Sequence, residues 1–580
     1  MSNRLTIIIY ITILSNACSV ETIIPWSLSD FTKKISWGDL AEKAAKSMWV
    51  NSIKKQLGNY PHKHESAHVR ISSELPTREI DAVEERQKHK VRPALEALLG
   101  KPLPTDKSLT LGVCCSGGGY RAMIATLGFL MGLEKIGVLD ATTYMAGLSG
   151  STWLLGPWLY RNCQIDNAKP VSLANYAKLL SAKTAKPLLK NSMKKRPVID
   201  SLNAKIAFEQ PLSSVDLWGA LIINALAGDL GSSGQKLRIT DLAATIETGS
   251  LLFPIFTSTI VHAGKAEEWM EFTPFEVGSS FLGGYIPTWS FGRKFNAGTS
   301  VDFAPEQTMG YGLGIFGSAY TASYYEAKGD LQAFLGNVAM DMAKELMPAS
   351  TKEWIAKHKA DEQRFSPARI YNFTHNMPGL QKSDEPLLTC VDAGMAFNLP
   401  FPPLLRPERN VDIILVMDAS ASVKNAPALA KAVEYAQAHH LKFPAIDLYN
   451  IDTKIVSVFK DETDPTVPVV IYFPRIANPD YANGFDPDPE KTAFCGTTNF
   501  AYNAAEFELL RGLMDTAVVS SKEVLFAEIR ERLNAKYNKE PALLLEQKDL
   551  QRANKATKKR TPVHKIRTHK KPKATAVMAS

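Results

Sequence analysis

Three apolar runs in this chain end in residues that could do chemistry together. The first, Thr142–Ala146, leads into Gly147-Leu-Ser-Gly-Ser151, a serine between small residues. A serine on a sharp strand-to-helix turn has its hydroxyl pushed clear of the backbone, at the positive end of the helix. Small neighbours let the turn close and let a substrate carbonyl approach. The usual elbow is Gly-x-Ser-x-Gly, and here Ser151 stands where the last glycine would be. An ordinary loop with a serine helix cap is the plain alternative for Ser149.

The second run, Leu109–Cys115, is followed by Ser116-Gly-Gly-Gly-Tyr-Arg121. Consecutive glycines between a strand and a helix expose backbone N–H groups where an anion can sit. Gly118 and Gly119 are therefore candidate oxyanion donors, aimed at charge developing on an attacked carbonyl. Arg121 could hold a phosphate with its planar fork. A nucleotide loop would need Gly-x-Gly-x-x-Gly or a Gly-Lys-Ser/Thr ending, and neither is present. A purely structural glycine turn stays open for this stretch alone. The third run ends at Asp392, followed by Ala393 and Gly394. A carboxylate there suits an active-site crevice, and equally suits a helix cap.

These groups need a frame. Val91–Leu99 is expected to be a helix, and Tyr120–Ile136 another, closed by Gly137. With strands on either side, the order is βαβα, and open α/β sheets bind ligands at the carboxyl ends of their strands. Val411–Asp418 and Val467–Phe473 are further strand candidates.

Together the three stretches resemble the catalytic domain shared by cytosolic phospholipase A2 and fungal lysophospholipase (phospholipase B). Phe272-Thr-Pro-Phe-Glu-Val-Gly278, Phe291-Gly-Arg-Lys-Phe-Asn-Ala-Gly298, Pro305-Glu-Gln307 and Gly314-Ile-Phe-Gly-Ser-Ala319 look like that family's middle segment, in its order. Leu405–Asp412 looks like the segment after its aspartate. The resemblance runs from about Glu84 to Leu533. It implies an α/β fold of patatin-like type, a central mostly parallel sheet with flanking helices and a long lid-type insertion between elbow and aspartate. It assigns Ser149 and Asp392 as a dyad without histidine, Gly118 and Gly119 as the oxyanion hole, and Arg121 as the phosphate ligand. Arg409 is a further candidate for anion positioning. Fatty acid would leave a phospholipid or lysophospholipid through an acyl-serine, with no cofactor or metal implied. An aspartate of ordinary pKa, about 3.9, is a weak base at neutral pH. A histidine triad through His439 or His440 is the mechanistic rival. Patatin-type lipases share the dyad, but the middle motifs favour the phospholipase reading. A non-catalytic, membrane-associated lipid-binding protein is the rival from another class.

Composition sets the bounds. Hydrophobic content of 45% and charge of 22% over 580 residues fit a globular chain with a sizeable core. Six cysteines show no CxxC pairing and indicate no disulfide framework; Cys114, Cys115 and Cys390 fall in expected buried strands. His62, His64 and His68 cluster loosely and are expected in a solvated loop rather than at a metal. The segment before the body is too short for the calcium-dependent membrane-targeting domain of some relatives. Residues 1–17 read as an export signal, with Leu5–Leu14 apolar and small residues at Ser15-Asn-Ala17. Cys18 follows, although Ser15 fits a lipoprotein signal poorly.

The remaining divisions are an N-terminal segment over 18–83, a catalytic domain over 84–535 and a basic tail over 536–580. Arg552–Ser580 carries ten Lys and Arg and no acid. The whole chain is +8, so the remainder sits near −2 and the basicity belongs to the tail. Such a tail could contact anionic lipid or nucleic acid through charge alone. Lys178–Arg196, basic and leucine-rich, fits either a lipid surface or a solvated helix. Phe281–Phe295 could edge an acyl channel or simply pack. The expected partner is a phospholipid membrane or a lysophospholipid micelle, with no specific protein partner.

Overall fold

The computed structural model describes residues 38–105, 107–163, 170–188, 195–262, 265–321, 367–482 and 484–538. Among the described residues thirteen strands run β1 Leu111–Cys115, β2 Thr142–Gly147, β3 Phe253–His262, β4 Lys265–Phe272, β5 Glu276–Ser279, β6 Gly284–Pro287, β7 Phe295–Asn296, β8 Thr299–Ser300, β9 Ala368–Tyr371, β10 Leu387–Asp392, β11 Ile413–Asp418, β12 Ser457–Phe459 and β13 Val469–Pro474. The helices that position the site are α1 Gly119–Lys135, α2 Gly150–Asn162, α3 Leu173–Thr184, α4 Ser214–Ala227, α5 Met309–Phe316, α6 Ala504–Ser520 and α7 Lys522–Asn538.

The main sheet is ordered β12-β13-β11-β1-β2-β3-β4-β5-β6, with β10 joining β3 and β9. Its centre, from β13 to β3, is parallel. Every residue of β1, β2, β11 and β13 is buried. Strands covered on both faces carry continuous apolar runs, which is why these four stand out in the sequence. The segment between elbow and aspartate adds β4, β5 and β6 antiparallel at one edge, so the whole sheet is mixed.

One register relation places the site. Along β3, Phe256 pairs with Gly147, the last residue of β2, and two residues further Ser258 pairs with Asp392, the last residue of β10. β4 occupies the opposite edge of β3 over the same stretch. β2 and β10 therefore arrive end to end on one edge, and the turn after β2 is delivered to the end of β10.

Helix α1 is buried on nearly every side. It sets Phe129 edge-on against Phe473 of β13 and lies against α6. Helix α3, whose last two turns open the basic Lys178–Arg196 stretch, turns Tyr176, Ala177, Leu180 and Thr184 inward. An amphipathic stripe meets a protein core as readily as a lipid surface, and here it meets the core. Phe281–Phe295 also packs, with Tyr285, Ile286, Phe291 and Phe295 buried.

The histidine-bearing segment is anchored rather than loose. Arg293 donates to the carbonyls of His62 and Glu65, and residues 67–70 pair with Ser300, Thr299, Gly298 and Tyr285. Cys114, Cys115 and Cys390 are buried free thiols, as are Cys163 and Cys495. The tail from residue 539 onward, with its proposed anionic contacts, lies outside the described residues.

Candidate active site

Ser149 sits between β2 and α2 with φ at 50°, a conformation an L-residue adopts only under local constraint. Its N–H donates to the Phe316 carbonyl at 3.0 Å, at the end of α5. Gly150 is required here, because a Cβ would fall 2.0 Å from the Gly119 carbonyl oxygen. The elbow and the glycine turn are thus in backbone contact. Ser151, the departure from the usual motif, has a structural use: its hydroxyl lies 2.9 Å from the Cys115 carbonyl and accepts the Leu148 N–H at 3.0 Å. It ties the elbow to the end of β1.

The Ser149 hydroxyl lies beside the Asp392 carboxylate, close enough to lower its pKa, and Asp392 Oδ1 accepts the Gly394 N–H at 2.8 Å. Ser318 Oγ receives the Asp392 N–H at 3.1 Å. The end of α5 therefore brackets both residues, giving the Gly314–Ala319 motif a structural task. Asp392 is only 1% exposed and Ser149 7%. Burial pushes the Asp392 carboxyl up to about 7, against the partial opposition of the Gly394 N–H, the Ser149 hydroxyl and the Ala319 N–H. A base near neutrality is far better matched to accepting a serine proton than an ordinary aspartate.

Gly118 and Gly119 have φ of 134° and 60° and open α1. Successive amides in such a turn at a helix start form an anion-accepting concavity. Arg121, on the first turn of α1, is 1% exposed. Its Nε donates to the Ala419 carbonyl at 2.8 Å, and Nη1 to the Cys495 carbonyl and Thr497 Oγ1 at 2.9 and 2.8 Å. Nη2 lies over Gly118, 2.3 Å from where a Cβ would be. Burial, then the charge of Arg475, lowers Arg121 to about 10, which leaves it charged at neutral pH. Arg475 is itself buried and donates to the carbonyls of Pro487, Ser420 and Ala421. Among the described residues neither arginine forms an ion pair with a carboxylate. Two buried cations beside the glycine turn make this corner electropositive. Arg475 carries no motif signal in the sequence.

Arg409 is corrected. It is buried between Glu79 and Glu271, with Nε 2.8 Å from Glu79 Oε1, Nη1 on Glu271 and on the Pro403 carbonyl, and Nη2 3.3 Å from Glu79 Oε2. All its nitrogens are taken, so no fork remains for a substrate anion. Burial alone would raise Glu271, but Arg409 and Arg406 hold its carboxyl below the usual range. Removing one member of such a cluster leaves a buried uncompensated charge. Arg409→Met is expected to lower unfolding stability by about 3–5 kcal/mol in denaturant titration, with the kcat of the folded fraction retained.

The histidine rival finds no support in the geometry. His439 and His440 are exposed at a helix end, with His439 stacked on Tyr435, while the group beside the Ser149 hydroxyl is Asp392.

Residues 111–475 match the family model described as the lysophospholipase catalytic domain. The chain belongs to that family. It is similar to mouse (Mus musculus) cytosolic phospholipase A2 zeta, 28% identical over 76% of this chain and 60% of the relative. Mouse cytosolic phospholipase A2 delta is 28% identical over 70% of this chain and 55% of the relative. The chain thus spans about 60% of the length of the curated relatives it matches. The solved structure of human GIVD cytosolic phospholipase A2 superposes with a TM-score of 0.67 at 23% identity, over 81% of this chain and 69% of that one, and shares the α/β fold. The relatives are named cytosolic, which overturns the expectation of export; Met1–Ala17 and Cys18 lie outside the described residues.

Proposed function

We propose that this chain is a serine acyl hydrolase that releases fatty acids from glycerophospholipids or lysophospholipids through a Ser149–Asp392 dyad. The carrying observation is the Ser149 hydroxyl, presented on a positive-φ turn beside a buried carboxylate held near 7. Family membership and the phospholipase A2 names of the relatives support the substrate class.

In the first half-reaction Ser149 Oγ attacks the acyl carbonyl carbon and its proton passes to Asp392. The carbonyl oxygen becomes an oxyanion facing the N–H groups of Gly118 and Gly119. Collapse breaks the ester C–O bond, and Asp392 returns the proton to the departing lipid alkoxide. In the second, water loses a proton to Asp392 and attacks the acyl-serine; the C–Oγ bond breaks, Asp392 returns the proton to Ser149 Oγ, and the fatty acid leaves. A lipid hydroxyl in place of water would give transacylation. Arg121, through Nη2, is the group offered to the substrate phosphate. The surface engaged is a phospholipid bilayer or lysophospholipid micelle.

Fatty-acid release from defined phospholipid and lysophospholipid vesicles, in EGTA and in calcium, tests the reading. Release in EGTA is expected. No release from any lipid under either condition would favour the non-catalytic lipid-binding alternative. Arg121→Lys keeps a charge but loses the fork. It is expected to raise KM for phospholipids by about tenfold, with monoacylglycerol, which has no phosphate, hydrolysed within about threefold of the wild-type rate. Equal loss on both substrates would contradict a phosphate role.

A further inference from the structure

One polar side chain joins the glycine turn to the aspartate turn. Asn398 lies beyond β10, half-buried, with its carboxamide against Gly117. The Gly117 N–H donates to Asn398 Oδ1 at 3.2 Å, and Asn398 Nδ2 donates back to the Gly117 carbonyl at 3.1 Å. Nδ2 also donates to Ser420 Oγ at 2.8 Å. Gly117 has no room to move: a Cβ there would lie 2.6 Å from the Ser149 Cβ and 2.8 Å from Asn398 Oδ1. On its other side Oδ1 abuts Gly394, whose N–H holds Asp392.

The orientation of that amide is itself dictated. Asp418, fully buried at the end of β11, accepts the Ser420 hydroxyl and the Ser420 N–H on Oδ1, and Tyr472 Oη–H on Oδ2 at 2.8 Å. The Ser420 proton is therefore committed to Asp418, and its oxygen offers only lone pairs to Asn398. A flipped amide would set its NH2 against the Gly117 N–H and its oxygen against the Gly117 carbonyl. Donors thus run one way, from Asn398 through Ser420 to Asp418, and a connected chain of this kind locks each member.

We propose that Asn398 is the positioning residue of the oxyanion turn, oriented by the Ser420–Asp418–Tyr472 relay. Gly117 is bonded through both its amide and its carbonyl, so the peptides that follow, carrying the Gly118 and Gly119 N–H groups, are aimed before substrate arrives. Preorganised donors act on charge that exists only in the transition state, so their misalignment lowers kcat rather than binding. The inference rests on the acyl-hydrolase reading above.

The test uses Asn398→Asp, nearly isosteric but without the NH2, Ser420→Ala, and the double variant, in the full-length protein. Asn398→Asp is expected to lower kcat by about 30–100-fold with KM within about twofold, and to slow covalent modification by a long-chain fluorophosphonate in proportion. Competition by a non-hydrolysable ether phospholipid, a ground-state probe, should stay at wild-type strength. Ser420→Ala leaves the contacts to Gly117 but releases the amide, so a smaller loss of about 3–10-fold is expected. In the double variant the loss should equal that of Asn398→Asp alone, because both act through one amide. Unchanged kcat in Asn398→Asp, a loss confined to KM, or strictly multiplicative losses would overturn the inference. If Asn398→Asp does not fold, unchanged kcat in Ser420→Ala overturns it and a loss in kcat alone upholds it. A wild type that releases no fatty acid instead sinks the functional reading, which keeps the two failures apart.

Discussion

Ser149→Ala is expected to reduce fatty-acid release by on the order of 10⁴-fold or more, because it removes the atom that forms the acyl intermediate. Nothing else in the site substitutes for that oxygen. Asp392 would lose the neighbouring hydroxyl, while the Gly394 N–H stays bonded to its Oδ1. The fold should survive, since the elbow is also held by Ser151 and by the Phe316 carbonyl. Vesicle assays paired with a melting curve separate lost chemistry from lost structure. A variant that melts normally and still turns over phospholipid would remove Ser149 from the mechanism.

Asp392→Asn is expected to cost about 10³–10⁴-fold in kcat, since the amide offers no basic site for the serine proton. Two pH measurements make the role specific. In wild type, kcat/KM should rise with pH as the carboxyl ionises and level off above about 7, where burial has set its pKa. The residual rate of the variant should lack that step. Stability should move the opposite way. A carboxyl whose folded pKa lies above its unfolded value near 3.8 binds more protons in the folded state between those limits, so folded stability falls as pH rises through that window. Asp392→Asn escapes this cost. At pH 8 it should be more stable than wild type by on the order of 1–3 kcal/mol, with the difference closing toward pH 4. Equal stability at both ends would mean that Asp392 is not held in the environment described.

Much of this site was legible because its parts are local. Leu109–Cys115 and Thr142–Ala146 announce themselves as buried parallel strands, and the glycine turn and serine elbow follow directly in the chain. What could not be read is the register that brings β10 beside the end of β2. That placement depends on pairing with β3, whose partners lie more than a hundred residues away on either side. The same difficulty hid Arg409, whose carboxylate partners Glu79 and Glu271 are 330 and 138 residues away. In sequence, an arginine following the aspartate motif looks free for a substrate; in the fold it is already spoken for.

Asn398 follows Asp392 closely in the chain, yet its role arises from a glycine 281 residues upstream. The basic segment around α3 stayed open for another reason. Periodicity reveals one apolar face but not what covers it, and core and lipid produce the same pattern. The aspartate itself was recognised as a candidate base, while its strength was not, because desolvation depends on everything packed around it. The export reading of residues 1–17 rested on a short apolar run and the small residues after it, and the cytosolic names of the relatives overturn it.

The central claim is that Ser149 is the nucleophile and Asp392 the group that activates it. The most direct test is intact-mass and peptide mapping after incubation with methyl gamma-linolenyl fluorophosphonate, the compound present in a solved structure of human GIVD cytosolic phospholipase A2. Attack by an activated serine on such a phosphonate displaces fluoride and leaves a stable adduct. The account predicts one adduct per chain, on the peptide carrying Ser149, forming faster as pH rises through about 7 and nearly abolished in Asp392→Asn. An adduct on any other residue, or modification of Ser149 at an undiminished rate in Asp392→Asn, would contradict it.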